Sequence, residues 1–527
     1  MKKFLKIFAL CAVFVFAVSI ACFAQNNGTV ITGTKADIVK KLKQQMKGSC
    51  TIELIGDIDS KTIKAIEKVV EKKASEIIVF NSKITVNLDI SKVTGLKELP
   101  AHAFYNFDYL KNIKLPDSIE SIGNGAFFGC VDLESIIIPE HVEYIGDYAF
   151  THCINLSSIA IPCHVKTIGK FAFGKTKIES IIIPDSVESI GENAFWDCYK
   201  LKSVILPFSV KTIGANAFND CGNLDEIIID EKNENFKVID SILYSKDGSV
   251  LVCYPSNKNG TSFSIPDTVK TIGNSAFRLC NNLESITINA SIKSIEECAF
   301  LRCGSLETIT IPLGIERIEN GMFCLCSSLT NISIPSSVKS IGEKAFSYCY
   351  KLESITIPDS VENMEEHALE GCSNLKNIIL SDNLKSIEKC LFMKCESLET
   401  IIIPNSVKTI GVAAFSSCRS LKCISIPDGI KRIELNTFAN CNKLENIIIP
   451  DSVETVGEWA FYNCTSLKSI TIPESTKSIG EKAFFECTCL ETINFKGSKK
   501  QWNAIKKGKD WEKGCPSTMK INFNYQE

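Results

Sequence analysis

Histidine is scarce in this sequence, with five in 527 residues, and tryptophan is scarcer still, with four. The histidines, at 102, 141, 152, 164 and 367, are read as scattered over different repeats and different repeat positions. A lone imidazole of that kind is more often a variable surface residue than a base or ligand. The spacings of zinc hydrolases and of Walker-type phosphate loops are read as absent. Asp and Glu are abundant, but no pair is singled out. The reading therefore assigns no catalytic residue, no cofactor and no metal ligand, and takes the chain as non-enzymatic. An excess of charge is also missing: 58 Lys and Arg stand against 61 Asp and Glu, net −3. Nucleic-acid binding wants a basic stripe and is excluded on that ground. Lastly, no long apolar run occurs beyond residue 24, so no further membrane span is expected.

The first 24 residues read as a leader. Lys2, Lys3 and Lys6 precede an apolar run from Ile7 to Ala24 broken only by Ser19, with cleavage expected after Ala24. A retained anchor is the alternative, as is a lipid-bearing N-terminus at Cys22, although Ser19-Ile20-Ala21-Cys22 lacks the usual starting Leu. Secretion or display at the cell surface follows, with membrane contact only through such an anchor. Loss of the three leader lysines leaves 55 basic against 61 acidic residues, net −6. The stretch from Lys496 to Glu527 runs the other way, with eight lysines against three acids, and reads as a solvated face.

What is present is repetition. Proline stands at 116, 139, 162, 184 and 207, then at 266, 312, 335, 358, 404, 427, 450 and 473, so nearly every gap is 23 or a multiple of it. A fixed period of that size marks a solenoid, whose units bury their apolar faces only by stacking on neighbours. In Leu398-Glu-Thr-Ile-Ile-Ile-Pro404, Leu398, Ile401 and Ile403 point one way and Thr400 and Ile402 the other, the mark of a half-buried strand. Pro404 ends it. Val407 and Ile410 lie inward on a second short extended piece, and Gly411 is read as allowing a bend. Val412 to Cys418 reads as a tight helical or 3₁₀ turn that buries Ala414, Phe415 and Cys418.

The aromatic position, from Phe104 to Phe484, gives about 16 rungs of 23 residues, with Leu369 substituting once. The rung after Phe173 is short and lacks its Cys. Of the 25 cysteines, fourteen fall three residues after the aromatic position, at 130, 153, 198, 221, 280, 303, 326, 349, 372, 395, 418, 441, 464 and 487. Residues stacked this way point in one direction, whereas a disulfide needs a specific torsion, so the ladder thiols are expected to stay reduced. Oxidation is expected off the ladder, at Cys324 with a neighbour or at Cys487–Cys489.

The expected organisation is a leader at 1–24, an α/β N-terminal cap at 25–98, repeats at 99–229, a β-hairpin insertion at 230–264, repeats at 265–495 and a C-terminal cap at 496–527. In the first cap, Ile38, Val39, Leu42 and Met46 form one helical face, and Ile63, Ile66, Val69 and Val70 another. Thr51–Ile55 and Ile77–Phe80 read as strands. The hairpin is two β-rich runs, 236–244 and 250–254, around Ser245-Lys-Asp-Gly248.

The rung Leu-x-x-Ile-x-Ile-Pro-x-x-Val-x-x-Ile-Gly-x-x-Ala-Phe-x-x-Cys resembles the BspA-like leucine-rich repeat family. The resemblance spans about Leu99 to Phe495 and takes in the 236–248 hairpin and the Gln501-Trp502 to Trp511 module. It implies a β-rich leucine-rich-repeat solenoid of the α/β type. It also implies a bacterial secreted or surface protein of the kind linked to adhesion to host matrix proteins or other cells. The family offers no catalytic residues to carry over, and no wall-sorting tail is recognised here.

The informative surface is then the outward column of the strands. It runs through Ile137, Ile182, Ile205, Ile228, Thr287, Thr310, Thr356, Ile379, Ile402 and Ile448, beside a column of Ser, Thr and Asn. Exposed isoleucines on a sheet make an apolar contact strip; equally, Ile and Thr satisfy β propensity. The function expected is binding or adhesion to a host or neighbouring-cell protein, or to a glycan, with a self-associating scaffold or envelope component as the alternative.

Overall fold

The computed structural model describes residues 29–56, 60–77 and 84–526. The leader, Cys22 and the strand expected at 78–80 lie outside these residues. Two units are distinguished, Met1–Lys258 and Asn259–Glu527.

In the first unit, strands Thr29–Gly33, Cys50–Gly56 and Val86–Val93 are parallel neighbours. The ladder continues without reversal into Leu110–Lys114 and Ser135–Ile137. Helices Ile38–Gln45 and Ser60–Ile77 return the chain between the first three strands. They bury Ile38, Leu42 and Met46, and Ile63, Ile66, Val69 and Val70, against the sheet. Ile77 closes a helix; it is not the start of a strand. These coils therefore extend the repeat sheet itself. With them and the coil bearing Trp511, the described residues of the two units make about 20 parallel turns in total. The phenylalanine count gave 16 because neither group carries Phe at that position.

A rung has three sides. The L-x-x-I-x-I segment pairs with the equivalent segment 23 residues on, as in Thr400↔Cys423 and Ile401↔Ile424. Two-residue strands ahead of the glycine, such as Ser189–Ile190, form a second parallel ladder. The third side is the turn around the aromatic residue, and it is not helical. Lys344 and Tyr348 both have positive φ, 56° and 60°, and every rung repeats this pair of left-handed positions. The alternation aims alternate amides at the next rung. Lys344, Phe346 and Tyr348 donate to the carbonyls of Glu366, Ala368 and Glu370. The amides between them bond three residues back, so each turn is saturated within its rung and across to the next. Left-handed backbone costs about 1–2 kcal/mol per residue outside glycine, which cross-rung bonding and burial offset.

Phenylalanines pile face to face along this side. In the first unit Phe104, Phe127, Phe150, Phe173, Phe195 and Phe218 have ring centroids 5.2 to 5.7 Å apart. The second unit has Phe277 to Phe346 and, past Leu369, Phe392 to Phe484. Offset stacking at this separation adds to burial. Trp511 ends the second pile edge-on, 6.1 Å from Phe484.

The cysteine three residues later has a specific job. Cys349 Sγ lies 3.2 Å from the carbonyl oxygen of Phe323 in the preceding rung, and it donates there. The same bond recurs from Cys130 to Phe104 at 3.0 Å and from Cys418 to Phe392 at 3.2 Å. Even Cys515, beyond the repeats, donates to Phe484. A thiol engaged in this way is spoken for. All described cysteines are free, Cys324 and Cys489 included. Burial pushes the ladder thiols Cys303 and Cys372 up to about 12. In the short rung Thr176 occupies the cysteine's position, buried, but its hydroxyl bonds Phe173 O within its own rung.

Two details differ from expectation. Gly411 has no positive φ; a Cβ there would fall 2.6 Å from Lys389 N, so glycine is needed for close approach of the backbones. The insertion is a three-stranded antiparallel meander, Phe236–Ile239, Ile242–Ser245 and Val250–Cys253, with no simple hairpin. The extra turn is Asp240-Ser241, both at positive φ, which suits a two-residue primed hairpin turn without any glycine. Asn233 is buried and ties the meander to the rung beneath by donating to Pro207 and Val210 carbonyls. At the other end, Ser498 caps helix Lys499–Ala504 in a reciprocal box with Gln501, and Trp502 packs on Phe495.

Phe346→Ala should destabilise the second unit by about 3–5 kcal/mol, because a fully buried ring leaves a cavity between two others; urea unfolding followed by circular dichroism measures it. Thiol alkylation of the native chain, mapped by mass spectrometry, should mark exposed Cys163, Cys423 and Cys489. The ladder thiols should stay unmodified until urea is added, since thiolate is the reacting form.

Candidate interaction face

The outward column is in register as expected. Ile182, Ile205 and Ile228 are direct partners across successive strands. So are Thr356 with Ile379 and Ile402 with Ser425. Exposure is uneven, however. Ile205 is only 8% exposed, and Ile182 and Ile228 are half-buried, so these three do not form an open strip. The exposed isoleucines are Ile137 at 51% in the first unit and Ile379, Ile402 and Ile448 at 64%, 84% and 52% in the second. Thr287, Thr310 and Thr356 are exposed as well. In the second unit the adjoining column shows Asn377, Thr400 and Asn446 to solvent. Ser469 donates to Asn446 at 2.7 Å, so part of this column already bonds along itself.

Beside the strip runs a feature the sequence reading passed over. At the position after the repeat leucine, Glu353, Lys376, Glu399, Lys422, Glu445 and Lys468 alternate in sign from rung to rung. Lys422 Nζ reaches Glu399 at 2.6 Å, Lys468 reaches Glu445 at 2.8 Å and Lys376 reaches Glu353 at 3.5 Å. A second alternating column, after the repeat valine, joins Lys166 to Glu143, Lys211 to Glu188 and Lys477 to Glu454. The lysine hydrogen bonds hold the Glu143, Glu399 and Glu454 carboxyls below their ordinary range. Exposed pairs of this kind contribute little each. Their effect is on register, because a slip by one rung would set like charges together. The signal was available as a sign change every 23 residues.

Ionisable clusters elsewhere are anchored. Glu370, buried, takes the Tyr348 hydroxyl on one oxygen at 2.6 Å and has His367 Nδ1 at 2.7 Å from the other. That bond, with burial, raises the Tyr348 phenol to about 12. A shallow depression gathers Glu296, Glu297 and Glu319 with Asn274 and Ser294 but no thiol or imidazole.

Contrary to the expectation that no phosphate-loop spacing is present, Gly169-Lys-Phe-Ala-Phe-Gly174-Lys175-Thr176 has one. A phosphate loop needs free amides at the start of a helix. Here the Phe171, Phe173 and Lys175 amides donate to the next rung, Phe173 is in the aromatic pile and Thr176 is bonded inward. No helix follows, and Lys175 lies over the Trp196 ring at 4.9 Å. The match is a rung turn.

Nor are the histidines all scattered. His141 and His164 hold the same position, two after the proline, in consecutive rungs, and the ligand atoms of Glu140, Cys163 and His164 lie within 4.8 Å of one another.

The repeat decides the family. The sequence profile of the BspA type leucine-rich repeat region matches residues 77–202, 120–247, 252–376 and 409–506. The chain belongs to that family. Among solved structures, it is similar to a leucine-rich repeat protein from Eubacterium ventriosum, 25% identical over 68% of this chain and 84% of that one, with a TM-score of 0.46. A leucine rich cell surface protein from Faecalibacterium prausnitzii is 30% identical over 62% and 90%, TM-score 0.41. A leucine-rich repeat protein from Bacteroides ovatus is 25% identical over 83% and 91%, TM-score 0.35. No curated protein matches. Among BspA-type repeats such as this one no catalytic family is indicated.

Lys422→Glu places three acids in succession with Glu399 and Glu445. The thermal midpoint should fall slightly at low ionic strength and recover as salt is added, since these charges are exposed and screened. Because the glutamates titrate below their ordinary range, the bridges contribute at neutral pH and are lost as pH falls through that range. A midpoint shift that does not respond to salt would contradict the column as an electrostatic device.

Proposed function

We propose that the protein is a secreted or surface-displayed, non-enzymatic binding module that holds a protein or glycan on its exposed strand face. The observation that carries this reading is the row Ile379, Ile402 and Ile448, wide open to solvent and edged by Asn377, Thr400 and Asn446. Large aliphatic side chains at such exposure, interleaved with small hydrogen-bonding groups, suit an interface of many modest contacts. The positions point away from the stacked core, so folding leaves them free to vary with the ligand. The leader-like first 24 residues support export, and adhesion to host or neighbouring-cell components is the use that best fits a broad face of this kind.

The test is binding of the chain to immobilised extracellular-matrix proteins by surface plasmon resonance. Ile379→Lys, Ile402→Lys and Ile448→Lys together should weaken binding about tenfold or more, as loss of central contacts does, with an unchanged circular dichroism spectrum. Unaltered affinity would remove this face as the site. A wild type that binds none of them, yet gains mass with concentration in light scattering, would replace the reading with a self-associating scaffold.

A further inference from the structure

We propose that Glu140, Cys163 and His164, with His141, form a surface site for a borderline divalent cation such as Zn²⁺, built across two consecutive rungs of the first unit. The turn after the repeat proline is Asp-Ser in four rungs, after Pro116, Pro184, Pro358 and Pro450. In two adjacent rungs it becomes Pro139-Glu140-His141 and Pro162-Cys163-His164. Four ligand-bearing side chains thus stand where two Asp-Ser pairs would, and two of the five histidines in the protein are among them.

The geometry suits a metal. Cys163 Sγ lies 3.6 Å from His164 Nδ1 and 3.7 Å from Glu140 Oε2. A tetrahedral ion with bonds of about 2.3 Å to sulfur and about 2.0 Å to nitrogen requires a sulfur–nitrogen edge of about 3.6 Å. Thiolate, imidazole and carboxylate are a donor set typical of zinc, and imidazole also takes copper and nickel. The His141 ring centroid is 6.0 Å from that of His164, and its side chain is exposed, with room to turn in as the fourth ligand. In the metal-free protein His164 Nδ1 is 2.8 Å from the Glu140 carbonyl oxygen, a contact that binding a metal at Nδ1 gives up. Glu143, a nearby carboxylate, is engaged by Lys166 at 2.7 Å. On binding, the metal–sulfur bond forms as the Cys163 thiol proton leaves to solvent, and the proton on His164 moves from Nδ1 to Nε2.

The first readout is the whole chain, kept reduced, titrated with Co²⁺ as a visible stand-in for Zn²⁺. The wild type should take up one equivalent with a thiolate charge-transfer band and tetrahedral visible absorption, both displaced by Zn²⁺. Cys163→Ser should lose the band. His141→Ala and His164→Ala should each weaken binding about tenfold or more, the scale seen when metal-site partners are lost. A variant restoring the protein's own turn, Glu140→Asp, His141→Ser, Cys163→Asp and His164→Ser, uses a sequence other rungs already fold with; it should show native circular dichroism and no band. A wild type without the band, or a band that persists at full strength in Cys163→Ser or in the restored-turn variant, would overturn the site.

Discussion

Each residue of a rung must meet its counterpart 23 positions away, and the rest of the structure depends on that. Stacking in register at about 4.8 Å leaves an apolar face buried only if the next rung supplies the same face at the same height. Phe323 on Phe346, Cys349 on the Phe323 carbonyl and Ile401 beside Ile424 are one rule seen at three positions. The turn obeys it as well, since its alternating backbone handedness sends Phe346 N–H to Ala368 and keeps no amide idle. Glycine enters where two backbones come too close for a side chain, as at Gly411 over Lys389.

The same rule separates what is fixed from what is free. Inward positions are settled by neighbours above and below, so they say little about function. Outward positions of the strand and the residue directly after the proline carry no such demand, whereas the second residue after the proline is a serine in several rungs and donates to the rung before, as Ser186 does to Val165 O. Isoleucine at 402 and cysteine at 163 occur where packing did not require them, and His164 stands where other rungs place that serine. Charge columns occupy an intermediate class. They lie on the surface, yet Glu399 and Lys422 are still chosen with regard to their neighbours.

Much of this was legible in the sequence because the period is strict. The strand through Ile401, the burial of Phe415 and the thiol ladder at Cys418 follow from alternation and spacing alone. Other features depend on what the next rung does, and one rung cannot reveal them. Gly411 looks like a bend until the backbone of Lys389 is placed against it. Asp240-Ser241 makes a primed turn without the glycine that usually advertises one. The exposure of Ile402 and the cover over Ile205 are indistinguishable in sequence, since both sit at the same register position. The Gly169 to Thr176 spacing shows the converse: a short motif can be matched by chance when glycine, lysine and threonine recur on a period of their own. His141 and His164 are visible as a pair only when rungs are aligned on the proline.

The most direct test of in-register stacking is deletion of one whole rung, residues 398–420, compared with deletion of half a rung, residues 398–409, each followed by circular dichroism and urea unfolding. The account predicts that the whole-rung deletion keeps the native spectrum and a cooperative transition, because Leu421 takes the place of Leu398 with every column intact. The half-rung deletion should lose both. Equal tolerance of the two deletions, or unfolding by the whole-rung deletion alone, would contradict it.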